Sequence, residues 1–128
     1  MSSLYWSSTS FFANNVGAWG VSFKWGNDYS LAKSSSLYAR AVRGENCKSF
    51  GHSVNLIINS DETLTDTCTG LMWQQVPSSN TMTWQNAIKY SENLTTSIYN
   101  DWRLPTIKEL RSIVDYSKDA PAINNFFF

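Results

Sequence analysis

The chain has 128 residues, and its ten Lys/Arg balance ten Asp/Glu, so the formal net charge is zero. That length closes one hydrophobic core without help from a metal. The balanced charge argues against a nucleic-acid partner held by phosphate neutralisation, which needs a basic excess or stripe. Only 16% of residues are charged, whereas 15% are aromatic, with six Trp, six Tyr and seven Phe. Together with abundant Ser, Thr and Asn, this is the composition that recognition surfaces favour. Little charge repulsion separates copies, so a homo-oligomer is an open alternative. No run reaches the length of a spanning helix, and no membrane insertion is expected. The start MSSLYWSSTS lacks the basic and apolar regions of a signal peptide.

The inventory of reactive groups is small. His52 is the one histidine, and Cys47 and Cys68 are the two cysteines. Zinc clusters need more ligands than this, and no G-x-S-x-G elbow, phosphate loop or G-x-G-x-x-G accompanies the serines. His52 reads as a turn histidine. The expectation is a non-catalytic protein with no cofactor.

In chain order, Leu4 to Thr9 reads as an aromatic strand, and Asn14, Asn15 and Gly17 as a turn. From Ala18 to Trp25 the large residues Trp19, Val21, Phe23 and Trp25 alternate with Gly20, Ser22 and Lys24, which predicts a strand with one buried face. Gly26-Asn27-Asp28 marks a turn, with Tyr29 to Lys33 returning as the second arm. Leu37 to Arg43 is read as a further strand. Val54 to Ile58 and Thr63 to Thr67 are strands by their β-branched content, Leu71 to Gln74 is a short apolar segment, and Pro77 to Asn80 a loop.

The last third carries the helices. Trp84, Ala87, Ile88, Ser91 and Leu94 share one helical face, with Thr83 as N-cap. Ile98 to Trp102 reads as irregular or strand, ended by Leu104-Pro105. Thr106-Ile107-Lys108-Glu109 is a capping box, with Ile107, Leu110, Ile113 and Val114 as the buried stripe behind it. Trp73, Trp84 and Trp102 are expected in the core. Arg103 is expected to tie loop carbonyls or a carboxylate such as Asp115 or Glu109. Asp101 could ligate calcium, but no carboxylate-and-amide set of the E-P-N kind stands near it, and calcium wants six to eight oxygens. The terminal Phe126-Phe127-Phe128 is expected to be packed.

Four motifs carry a family resemblance. Thr65-Asp66-Thr67-Cys68-Thr69-Gly70-Leu71-Met72-Trp73-Gln74 resembles the opening signature of the DUF1566 family, also called the Lcl C-terminal domain family. Asp101-Trp102-Arg103-Leu104-Pro105-Thr106-Ile107-Lys108-Glu109-Leu110 resembles its central motif. Tyr5-Trp6-Ser7-Ser8-Thr9 and Tyr38-Ala39-Arg40-Ala41-Val42-Arg43-Gly44 resemble its closing motifs. The resemblance implies an α+β, C-type-lectin-like fold of short antiparallel strands and two helices, distantly related to formylglycine-generating enzymes. It also implies a bacterial surface or adhesive setting, extracytoplasmic, with a glycan (in one relative sulfated) or a protein surface as partner.

The sequence departs from the family in two ways. The closing block comes first, so the single domain over 1–128 resembles a circular permutant: 1–44 the family's C-terminal block, 45–53 a new connection, 54–128 its N-terminal and central blocks. A rival reading has the chain straddle two repeats and swap halves with another copy. The family's cysteines at the positions of Ser91 and Ala41 are also absent together, while Cys47 and Cys68 could form a disulfide across the new connection.

In relatives with diversified ligand surfaces, the block around 14–40 carries the variable positions. The candidate ligand-binding residues are therefore Lys24, Trp25, Asn27, Asp28, Tyr29, Lys33, Tyr38 and Arg40. Their aromatic rings can stack on sugar faces, and their cations can meet sulfate or carboxylate. The leading reading is a recognition or adhesion module. A self-assembly unit is the alternative, and an enzyme of the formylglycine-generating type stands behind both.

Overall fold

The computed structural model describes residues 4–11, 16–45, 56–115, Ile123 and Phe127. Its architecture is α+β, with two antiparallel sheets and two short helices. The first sheet has the order β1 (Leu4–Ser10), β2 (Gly17–Ser22), β3 (Asp28–Ala32). The second contains β4 (Val42–Arg43), β5 (Leu56–Ile58), β6 (Thr63–Asp66) and β7 (Met72–Gln74), in the order β4-β7-β6-β5. The helices are α1 (Trp84–Glu92) and α2 (Ile107–Arg111).

The first sheet lies between two packed clusters. Trp6, Ala18 and Leu31 on one face meet Leu37, Ala39, Leu104 and Ala87 of α1. Tyr5, Val21 and Phe23 on the other join Leu110 of α2 and Leu64, Trp73 and Phe127. Central β2 is therefore buried on both faces. This corrects the one-faced strand expected over 18–25: Ala18, Gly20 and Ser22 are as buried as Val21 and Phe23, Trp19 is half-buried, and Trp25 lies past the strand's end. Alternation of size in a strand signals one apolar face. It does not reveal that small residues opposite are small because another layer rests on them. Gly20 is such a case, since a Cβ there would stand 2.8 Å from the Tyr5 carbonyl oxygen and 3.1 Å from Leu37 Cδ2.

The second sheet is unevenly buried: Thr63 and Gln74, paired on the face opposite Leu64 and Trp73, are buried as well, and Ile58 beside Leu64 is exposed. Its register places Val42, Trp73 and Leu64 in one buried row and Arg43, Met72, Thr65 and Ile57 in a row on the other side that runs from half-buried to exposed. Only Val42–Arg43 of the strand expected over 37–43 is regular. Before it, Leu37 bridges Met82 and Tyr38 bridges Tyr5 while the chain crosses the core. Of the strand expected over 54–58, Leu56–Ile58 is seen, and Val54 lies outside the described residues.

The capping box forms as the sequence predicts. Thr106 Oγ1 accepts from the Glu109 amide at 3.2 Å and Glu109 Oε1 accepts from the Thr106 amide at 2.9 Å. Thr83 stands at the N-cap of α1, but its side chain makes no capping bond. Ile98 to Trp102 forms no strand, and Ile98 is exposed. Of the terminal phenylalanines, Phe127 is fully buried, and its neighbours lie outside the described residues.

Candidate functional site

The β2–β3 hairpin turn is the most exposed aromatic feature among the described residues. Gly26, at φ 82°, takes the left-handed conformation that the turn requires. Its amide donates to the Ser22 carbonyl at 2.8 Å, and the Ser22 amide donates to the Asn27 carbonyl at 2.7 Å. This tight closure leaves Trp25 with no strand to pack against, and the ring is 55% exposed. The Lys24 ammonium lies 5.1 Å from the Trp25 ring centroid. Lys24, Asn27 and Asp28 are exposed, and Tyr29 is 42% exposed at the start of β3. Arg111 on α2 approaches Asp28 at 3.8 Å, which adds a second cation near the turn.

The other candidates part company here. Lys33 sits over the Trp84 ring, 4.1 Å from its centroid, and its carbonyl accepts from the Trp84 amide at 3.1 Å. Trp84, expected in the core, is half-buried under that lysine, its indole donating to the Ser7 carbonyl at 2.9 Å. Tyr38 is half-buried, its ring centroid 5.8 Å from that of Tyr5.

Arg40 does not project at all. It is 1% exposed, and its guanidinium donates to the carbonyls of Gln74 (2.8 Å), Gln75 and Phe127 (3.0 Å). The rings of Tyr5 and Phe127 lie on it at 5.5 and 4.8 Å. Burial pulls its pKa down to about 10, so it remains charged at neutral pH. Strand-like alternation put Arg40 on a solvated face, whereas the chain there leaves strand geometry and threads the core.

Two further arginines form welds. Arg103 donates to both Glu109 oxygens, at 2.7 and 2.8 Å, and to the Gly44 carbonyl at 2.9 Å, so Glu109 and not Asp115 is its partner. Burial pushes the Glu109 carboxyl up, but Arg103 and the Thr106 amide and hydroxyl together hold it below the usual value. Arg43 grips Asp101 through two bonds of 2.6 and 3.0 Å and lies 3.7 Å from the Tyr99 ring. Hydrogen bonding from Arg43 holds the Asp101 carboxyl below its ordinary value. That carboxylate is occupied by a cation of the chain itself. Among the described residues, no three His, Cys, Asp or Glu side chains gather as a metal site, and no helix is long and apolar enough to cross a membrane. His52 and Cys47 lie outside the described residues, and so does the Cys47–Cys68 pairing.

Residues 62–128 match the family described as the Lcl C-terminal domain. The chain belongs to that family. The match covers the β6–β7 hairpin and the Arg103–Glu109 pair, while Arg43 and Gly44, the partners of Asp101 and Arg103, precede it. No curated protein and no solved structure matches the chain. The two positions where relatives are expected to carry cysteine, Ala41 and Ser91, are both fully buried. Gln74 joins their surroundings, its Oε1 accepting from the Ala41 amide at 2.9 Å and its Nε2 donating to the Tyr90 hydroxyl at 2.7 Å. Gln74 closes the opening motif, but nothing local in the sequence marked its bridging role, because an amide that joins two distant segments leaves no local pattern.

Proposed function

We propose that this Lcl C-terminal domain is a non-catalytic recognition module that binds a glycan or a protein surface through its β2–β3 turn. The observation that carries the reading is Trp25, a large ring 55% exposed on a tight turn, with Lys24 over its face. An indole so displayed offers apolar area at little conformational cost, and the adjacent ammonium suits an anionic group on the ligand. Asn27 and Tyr29 extend the same surface with hydrogen-bonding groups. Fold alone does not name a ligand, so the reading rests on this turn.

The same proposal includes a C-type-lectin-like fold with its motifs in permuted order. In support, the family match begins at residue 62, while the Tyr5-to-Thr9 and Tyr38-to-Gly44 motifs precede it and pack into the same core. Tyr5 and Phe127, from opposite ends of the described residues, also flank one guanidinium.

A panel of glycans that includes sulfated polysaccharides, screened at low and physiological salt, tests the reading. Binding that weakens with salt and is lost in Trp25→Ala and Lys24→Gln is the expected result. Retention of binding in both variants would overturn it.

A further inference from the structure

The edges of the first sheet differ in a way that has consequences for assembly. On the outer side of β1 the backbone is occupied: the Trp6 amide donates to the Tyr38 carbonyl at 3.0 Å, the Tyr38 amide to the Leu4 carbonyl at 3.0 Å, and the Ser8 amide to the Pro105 carbonyl at 2.7 Å. β3 is the other edge. The bonds from the Ser22 amide to the Asn27 carbonyl and from the Lys33 amide to the Val16 carbonyl turn the odd-numbered residues of β3 toward β2. By the alternation of an antiparallel ladder, Asp28, Ser30 and Ala32 direct their amides and carbonyls outward, where the Ala32 carbonyl accepts from the Ser35 amide at 2.8 Å. All three are exposed. Among the described residues, nothing is bonded to the Ser30 amide or carbonyl on that side.

Natural sheets blunt such edges with lysine, proline or a bulge. β3, Asp28-Tyr29-Ser30-Leu31-Ala32, has neither residue, and its register with β2 runs without a shift, whereas β1 and β2 slip between Trp6 and Ser10. The outer edge is thus regular and five residues long.

We infer that β3 pairs antiparallel with β3 of a second copy, about a twofold axis at Ser30, joining two three-stranded sheets into one. The sequence is self-complementary in that register. Ser30 faces Ser30, the two exchanging amides and carbonyls, and Asp28 faces Ala32, whose amide donates to the Asp28 carbonyl while its own carbonyl stays with the Ser35 amide. Tyr29 faces Leu31 at the non-hydrogen-bonded positions, where side chains approach most closely. The strand's one charge, Asp28, meets no like charge, and the chain's net charge of zero sets no general repulsion between copies. A contact this small makes a weak dimer. It stands apart from the ligand reading, because the Trp25 turns lie beyond the ribbon, at its opposite ends.

Sedimentation of the full chain across micromolar to millimolar concentration, with hydrogen exchange at both extremes, tests the pairing. The expected result is a mass rising toward a dimer. The Ser30 and Ala32 amides should gain protection with concentration, while those of Tyr29 and Leu31 are protected throughout. Ser30→Lys and Ser30→Glu each place like charges on the axis and should stay monomeric, and their equimolar mixture should recover the dimer mass. Ser30→Pro removes an amide that β2 does not use, and should be monomeric with an unchanged circular dichroism spectrum. A monomeric mass at every concentration would overturn the inference. So would association that persists in Ser30→Lys alone, or a gain of protection elsewhere than on β3. If Ser30→Pro fails to fold, the charge-swapped pair still decides.

Discussion

Arg40 and the β2–β3 turn are built from the same materials, a cation beside aromatic rings, and serve opposite ends. At Arg40 the guanidinium is enclosed by Tyr5 and Phe127 and donates to three backbone carbonyls. At the turn, Lys24 and Trp25 lie against each other in solvent. Cation and aromatic content therefore does not mark a ligand site. What separates the two is whether the backbone around them has closed its own hydrogen bonds.

The sharpest way to break this comparison is Arg40→Met. It removes the guanidinium that the Gln74, Gln75 and Phe127 carbonyls share and takes apart the seam between Tyr5 and Phe127. We expect a loss of about 3–5 kcal/mol in denaturant unfolding, comparable with breaking a buried charged network. A loss below 1 kcal/mol would place Arg40 among the ornaments. Gly20→Ala comes next, since its methyl meets the Tyr5 backbone and Leu37; roughly 1–3 kcal/mol is expected, the range for overpacking, read as a lower thermal midpoint.

Glu109→Gln weakens the grip on Arg103 and one arm of the capping box. Because Arg103 is partly solvated, we expect about 1–2 kcal/mol. The pH dependence carries the sign: the folded carboxyl titrates below its ordinary value, so its contribution is full above the ordinary glutamate range and drains as pH falls through the depressed value. Urea midpoints measured from neutral pH down to pH 3 should show wild type losing this increment and converging on the variant. Parallel curves would remove Glu109 from the account. Smallest in stability is Trp25→Ala, expected within about 0.5 kcal/mol of wild type. Its effect should fall on ligand binding, which makes it the counterpart of Arg40→Met.

Much of the second half was legible because its signals are local. The capping box at Thr106–Glu109 and the apolar spacing of α1 each lie within a few residues; the box appears as read, and the helix forms as far as Glu92, with Leu94 past its end and no capping bond from Thr83. The first half was less legible. The expected strand over 37–43 shrank to Val42–Arg43, because Tyr38 and Leu37 take partners from Tyr5 and Met82, which lie far off in sequence. Of the candidate ligand residues, Lys24, Trp25, Asn27, Asp28 and Tyr29 gather at or beside the turn. Lys33, Tyr38 and Arg40 are drawn away by Trp84, Tyr5 and the Gln74 strand.

By itself the sequence determined the α+β class, the helix with its reciprocal cap, the hairpin turn at Gly26 and the family motifs, since each is set by neighbours along the chain. Only the tertiary structure decided that β2 is buried on both faces, that Arg40 is interior, and that the outer side of β1 is covered while, among the described residues, nothing pairs with Ser30 of β3. Those outcomes depend on which distant segment arrives to satisfy a backbone amide or cover a side chain. No residue carries that information in its own identity.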